Sequence, residues 1–252
     1  MLLPYRITRF LFAAVLLVAP AFAQADDSVK TDVENMKKEI DTLKKQQVAI
    51  IQQLGQIAQI LRRQQTPQNP VVDLKDAPPP TGSATAKVAV VEFTDFWCGF
   101  CARYATQTLP EIRKKYVETG KIRYYVNDFP AQRGPHVAEA ARCTGDRYWA
   151  MHDQLFSHFG KYSDEELKKY ATEVGTNPES FTKCLASTEF AKVVQSAMET
   201  GSNLGVDGTP TFMIGTIDPE DPTKLKTVRT LVGAQPIESF QAALDSAIAE
   251  AK

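Results

Sequence analysis

Cys98 and Cys101 stand three apart in the run Cys98-Gly99-Phe100-Cys101. Two thiols at that spacing can close a disulfide, or open another one by attacking it. The run follows an apolar stretch, Val88-Ala89-Val90-Val91-Glu92-Phe93, that reads as a buried strand, and it precedes Ala102 to Tyr116, which has helical spacing. The thiols therefore fall where a strand hands over to a helix. Backbone N–H groups and the positive end of the helix dipole favour negative charge at such a place, and the thiolate is the reactive form of cysteine. The competing use of the pair is half of a zinc site. A structural zinc needs four ligands, usually as two spaced pairs. Cys143 and Cys184 each stand alone, without a Cys or His at ligand spacing. The spacing thus points to redox chemistry at the thiols themselves, with no metal and no cofactor expected. His136, His152 and His158 show no ligand spacing to the cysteines and carry no assigned role.

Four regions surround this pair. Residues 1–25 carry Arg6 and Arg9 and no acid, then an apolar stretch from Phe10 to Val18, then the small residues Ala21-Phe22-Ala23 and Ala23-Gln24-Ala25. That pattern predicts a secretory signal peptide, its apolar core shorter than the ~20 residues of a membrane span. Its removal lowers the formal net charge of −1 by two, a balance that predicts no nucleic acid or other polyanion as partner. Export, expected to the periplasm, places the four cysteines where disulfides persist.

Residues 26–64 predict a coiled-coil oligomerisation helix. Val29, Val33, Met36, Ile40, Leu43, Gln47, Ile50, Leu54, Ile57 and Leu61 recur at spacings of four and three. With Val33 at an a position, Asp32 and Glu39 fall at g and face Lys37 and Lys44 at e of a parallel partner. The first half of the seam favours two strands. Leu54, Ile57 and Leu61, with Ile51 and Ile60 on the flanks, favour more, so stoichiometry stays open between dimer, trimer and tetramer. Gly55 costs this helix about 1 kcal/mol relative to alanine. Residues 65–86, with Pro67, Pro70 and Pro78-Pro79-Pro80, predict a linker without regular structure, spanning on the order of 25 Å. Residues 87–252 predict one α/β domain. It has strands at 88–93, 121–126, 211–214 and 227–231, a helix from Cys101 to Tyr116, a helical insertion at about 135–205, and a closing helix from Pro236 to Ala249.

Glu92-Phe93-Thr94-Asp95-Phe96-Trp97-Cys98-Gly99-Phe100-Cys101, together with Gly208-Thr209-Pro210-Thr211-Phe212, resembles the thioredoxin superfamily and, within it, the exported DsbA-like thiol–disulfide oxidoreductases. The resemblance covers about residues 87–250. It implies a thioredoxin fold with an inserted helical subdomain, here preceded by the coiled-coil helix that occurs in some multimeric isomerase-type relatives. It implies that Cys98 is the exposed nucleophile and Cys101 the buried resolving thiol. Glu92 is then a buried acid that moves the proton of Cys101. Period two alone leaves open whether Glu92 faces the core or solvent. Pro210 is implied to be a cis proline beside the sulfurs, with Thr209 offering its backbone to an extended substrate and Phe100 flanking it. For Cys143 and Cys184 the resemblance implies a structural disulfide, against free buried thiols or a second redox pair.

The residues between the active cysteines are Gly-Phe, without the histidine that makes DsbA a strong oxidant. That departure implies a weaker oxidant, suited to isomerisation, which needs a reduced Cys98. The expected partners are exported cysteine-containing proteins, an unidentified membrane redox partner, and other copies of the chain through residues 29–64. Two other functions compete: a holdase using an apolar cleft around Phe100 and Phe212, and a dedicated thiol reductant for one exported partner.

Overall fold

The computed structural model describes residues 19–65 and 69–251. Most of the expected leader, residues 1–18, lies outside the described residues, as do residues 66–68 of the expected linker. The chain divides into two compact units at residues 63 and 64.

The first unit is one helix, α1 (Ala19–Gln65). It begins well before Val29 and runs through Ala21-Phe22-Ala23. Alternating alanines, the best helix formers, extend it there, and Pro20 lies in the first turn, where a missing N–H costs nothing. Val29, Val33, Met36, Ile40, Leu43, Ile50 and Leu54 are all exposed in the single chain, from 38 % at Val33 to 63 % at Leu43. The side chains of Ile57 and Leu61, the remaining apolar seam residues, and of Ile60 on the flank are outside the described set. No helix of the described residues is long and apolar enough to cross a membrane.

The second unit is built on a six-stranded sheet: β1 (Val71–Asp73), β2 (Thr81–Gly82), β3 (Val88–Thr94), β4 (Ile122–Asp128), β5 (Thr211–Ile217) and β6 (Lys224–Val232). The spatial order is β1-β6-β5-β3-β4-β2. Only β3 and β4 run parallel, with Glu92 opposite Val126; every other pair is antiparallel. β3 is therefore central, and all seven of its residues are buried. Val88 and Val90 pack on one face with Tyr104, Leu109, Ile112 and the closing helix α9 (Ile237–Glu250) through Phe240 and Leu244. Ala89, Val91 and Phe93 pack on the other, with Val72, Leu74, Tyr125 and Met213. A sheet covered on both faces reads as a continuous apolar run, which is why an acid at position 92 stands out.

Two strands arise where the sequence predicts an unstructured linker. β1 pairs with β6 and β2 with β4, the Leu74 amide donates to the Thr223 carbonyl at 2.8 Å, and the Thr227 amide donates to that of Pro70 at 3.0 Å. Both are short edge strands, where flanking prolines remove no ladder bond. At Gly82 the backbone has a positive φ of 99°, and a side chain there would run into the Ile122 carbonyl. The sheet unit thus begins upstream of residue 87.

The helical run after Cys98 also differs from a single regular helix. It consists of α2 (Gly99–Arg103), a π turn (Tyr104–Thr108), α3 (Leu109–Ile112) and a second π turn (Arg113–Val117). Pro110, in the first turn of α3, has no N–H for the i→i−4 ladder and interrupts it. The insertion consists of α4 (His136–Arg142), a 3₁₀ turn, α5 (Tyr148–Ser157), α6 (Asp164–Glu173), α7 (Pro178–Ser187) and α8 (Ala191–Asn203). Cys143, just after α4, is bonded to Cys184 on α7, with Cα atoms 5.8 Å apart and a sequence separation of 41. Closing a loop of that length is worth about 3–4 kcal/mol in the chain-entropy account.

Candidate active site

Cys98 caps the start of α2 in extended conformation. The turn that delivers it is tied by Asp95. Its carboxylate accepts the Trp97 amide at 2.8 Å and the Gln132 amide at 3.1 Å, and its carbonyl accepts the Cys98 amide at 2.9 Å. An Asx turn of this kind was within reach of sequence reasoning, since an Asp side chain readily accepts the amide two residues on. Tyr162 donates to the Phe96 carbonyl at 3.1 Å and stacks edge-on against Trp97 at 4.8 Å, so the insertion holds the same turn from above.

Both active cysteines are free thiols, Cys98 3 % and Cys101 0 % exposed. Cys98 is thus not the open residue that the resemblance implied. The loop before β5 lies against it, and its thiol donates to the Thr209 carbonyl at 3.2 Å. The Thr209–Pro210 bond is cis, and the Pro210 carbonyl accepts the Gly233 amide at 2.8 Å. The structure therefore brings Thr209 and Pro210 to the sulfur. Phe100 stands at the rim, 59 % exposed, with the Arg103 guanidinium 5.1 Å from its ring. Phe212, expected beside it in an apolar cleft, is instead fully buried against Tyr104 and Phe240.

The two thiols differ in acidity. The Cys101 thiol, the Thr209 side chain and the amides of Cys101 and Phe100 stabilise the Cys98 thiolate and outweigh burial, holding Cys98 at about 5. Burial drives Cys101 the other way, reinforced by its bond to Cys98 and by the charge of Glu92. Glu92 is fully buried on the face of β3 turned toward Tyr104. Its Oε2 accepts the Tyr124 hydroxyl at 2.8 Å, and the Tyr104 and Tyr124 hydroxyls share a bond of 2.8 Å. Burial raises its carboxyl, although the charge of His152 and the Tyr124 hydrogen bond pull it back. The tyrosines and His152 escaped sequence reasoning because they come from three distant segments with no shared spacing. Among the described residues, no cluster of His, Cys, Asp or Glu could hold a metal ion.

Comparison with known proteins agrees with this geometry. A family model described as thioredoxin matches residues 75–234, a span that takes in both the Cys98 turn and the Pro210 loop. A Rickettsia bellii protein, provisionally named a protein-disulfide oxidoreductase, is 28 % identical over 181 residues, 68 % of this chain and 64 % of that protein. The chain thus spans somewhat less than two thirds of that relative's length. The crystal structure of Wolbachia pipientis alpha-DsbA1 superposes with a TM-score of 0.61 at 19 % identity, covering 71 % of this chain and 94 % of that one. Oxidised BdbD from Bacillus subtilis superposes with a TM-score of 0.57 at 20 % identity, covering 72 % and 100 %. With a thiol pair at the end of the central strand, a helical insertion and a family match over most of its length, the chain belongs to the thioredoxin family and has a DsbA-like fold.

Proposed function

We propose that this chain carries out thiol–disulfide exchange on exported proteins, and that it favours isomerisation over oxidation. One observation carries the reading: a thiolate held at about 5 on Cys98 lies next to a Cys101 thiol that burial keeps protonated. The Cys98 thiolate attacks one sulfur of a substrate disulfide, and the other leaves as a thiolate that takes up a proton. Cys101 then gives its proton to Glu92 and attacks Cys98 Sγ, which releases the second substrate sulfur. Two electrons pass from the protein dithiol to the substrate. In isomerisation a substrate thiolate displaces Cys98 instead, and no net electron transfer occurs. Cysteines in such motifs range from about 3.5 to 7.5. A value near 5 leaves the reduced Cys98 less favoured than at the acid extreme, in keeping with a weaker oxidant. Thr209, through its backbone, and Phe100 hold the extended substrate. A membrane redox partner resets the dithiol.

The exposed stripe on α1 supports assembly. Seven apolar seam residues between Val29 and Leu54 face solvent in the single chain, and the matched charges Asp32–Lys37 and Glu39–Lys44 suit a second copy of the same helix. Several exchange sites on one assembly raise the local concentration of the next site for a misfolded substrate. Removing residues 26–64 is expected to give a monomer by light scattering that still reduces simple disulfides but refolds a scrambled multi-disulfide substrate poorly. A truncated form that stays multimeric, or a monomer with undiminished isomerase activity, contradicts the assembly role.

A further inference from the structure

Cys98 sits at one end of the sheet, bracketed by two arginines. The ends of β3, β4 and β6 and the start of β5 meet there, since Phe93 lies opposite both Asn127 and Thr211, and Thr211 lies opposite Val232. Across that end the strand order is β6-β5-β3-β4. Pro210, ahead of β5, and Cys98, after β3, hold the middle. An arginine stands at each outer strand end. Arg103, the last residue of α2, donates from Nη2 to the Ala234 carbonyl at 3.5 Å, just after β6. Arg133 follows β4, in the loop whose Gln132 amide is bound by the Asp95 carboxylate.

Rings of the active-site turn itself hold both guanidinium groups. Arg133 lies 4.5 Å from the centroid of Trp97, the residue before Cys98, and Arg103 lies 5.1 Å from that of Phe100, between the cysteines. Trp97 is fixed in turn by Tyr162, at 4.8 Å. A guanidinium stacked on a ring keeps its N–H edge available for a carboxylate and loses little freedom on binding one. Both arginines are exposed. Arg103 contacts a ring and a carbonyl, Arg133 a ring, and among the described residues neither is paired with a carboxylate. The acids nearby are engaged elsewhere. Asp95 is buried, its carboxylate taken by the Trp97 and Gln132 amides, and Asp207, exposed on the loop before Thr209, is not without a partner.

We propose that Arg103 and Arg133 select substrate segments that carry a carboxylate about two residues to either side of the reacting cysteine. The inference rests on the exchange reading of Cys98 and names a substrate class for it. Three strand spacings of ~4.8 Å put the outer strand ends about 14 Å apart, and an extended chain rises ~3.3 Å per residue, so about four residues of substrate cover the span. The attacking group is an anion, which repels an acidic segment brought to it alone. A carboxylate on each guanidinium offsets that repulsion and holds the cysteine between them over Cys98. A segment with lysines at the same positions meets like charge on both sides.

The test uses the whole reduced protein and two peptides that differ only in the residues two before and two after a single cysteine, both Glu in one and both Lys in the other. Each cysteine is carried as a mixed disulfide with an aromatic thiol that absorbs visible light when released. Cys98 attacks the peptide sulfur, the S–S bond breaks, and the aromatic thiolate leaves with the electron pair, so absorbance follows attack. Dividing each rate by that of the same peptide with mercaptoethanol removes the peptide's own reactivity. The corrected Glu-to-Lys ratio is expected to be about ten at low salt, and to fall several-fold at about 1 M salt, where the Debye length is about 3 Å. Arg103→Gln and Arg133→Gln should each cut the ratio about threefold, and the double variant should bring it near one. A wild-type ratio near or below one overturns the proposal. So does a preference that survives intact in the double variant, because it would then come from the field of the whole chain. Failure of the exchange reading looks different: the wild-type protein would release aromatic thiol from neither peptide.

Discussion

Cys98→Ser is expected to lower disulfide exchange by about 10³-fold or more, since no other group supplies the attacking sulfur. Cys101→Ser is expected to behave differently. It keeps the attack but cannot resolve the mixed disulfide, so substrates accumulate covalently bound to Cys98. The physical basis is the asymmetry of the pair. Cys98 caps α2 with the Cys101 and Phe100 amides turned to it, while Cys101 lies fully buried one turn inside. Mass spectrometry of both variants after reaction with a disulfide peptide checks this. Adducts that form on Cys101 in Cys98→Ser, and none on Cys98 in Cys101→Ser, reverse the assignment.

Arg142→Met is expected to cost about 3–5 kcal/mol of unfolding free energy, a large share of the 5–15 kcal/mol typical of a domain. Arg142 Nε donates to Asp128 Oδ2 at 2.5 Å, with side chains 6 % and 1 % exposed. Without the guanidinium, a carboxylate is left buried and unpaired. Nη1 also donates to the Asp76 carbonyl at 2.7 Å, so the same change frees the segment between β1 and β2 and makes it a protease target. Adding Asp128→Leu should recover much of the loss, because the stranded charge and not the missing contact dominates it. Urea unfolding gives the numbers. A loss below about 1 kcal/mol for Arg142→Met would mean that the pair is neutral or solvated.

The order of strands and helices was legible because the segments are punctuated strongly. The CxxC run follows a strand that is apolar but for Glu92 and Thr94, and the insertion carries helical spacing without a strand signal. Glu92 was legible as an anomaly but not as a buried group, because its burial depends on the helices that cover its face of β3, and those come from residues 104–117 and 237–250. Val71-Val72 falls in the proline-rich stretch, residues 65–86, that predicts a linker. It becomes a strand only because β6 extends far enough, from Lys224 to Val232, to pair with it. Cys98 was expected to be open; its cover comes from Thr209, 111 residues away. His152 carried no signal at all, since its burial against Phe96, Trp149 and Phe156 exists only once the insertion has folded.

The most direct measurement is the pH dependence of alkylation at Cys98 in the reduced protein, followed by mass spectrometry of the Cys98-containing peptide. A thiolate favoured by its surroundings is lost only as pH falls through its lowered pKa, so the rate should be flat at neutral pH and halve near pH 5. Cys101 should stay unmodified throughout that range. A Cys98 rate that instead climbs through about pH 8.5, the range of an ordinary thiol, or preferential modification of Cys101, would contradict the account.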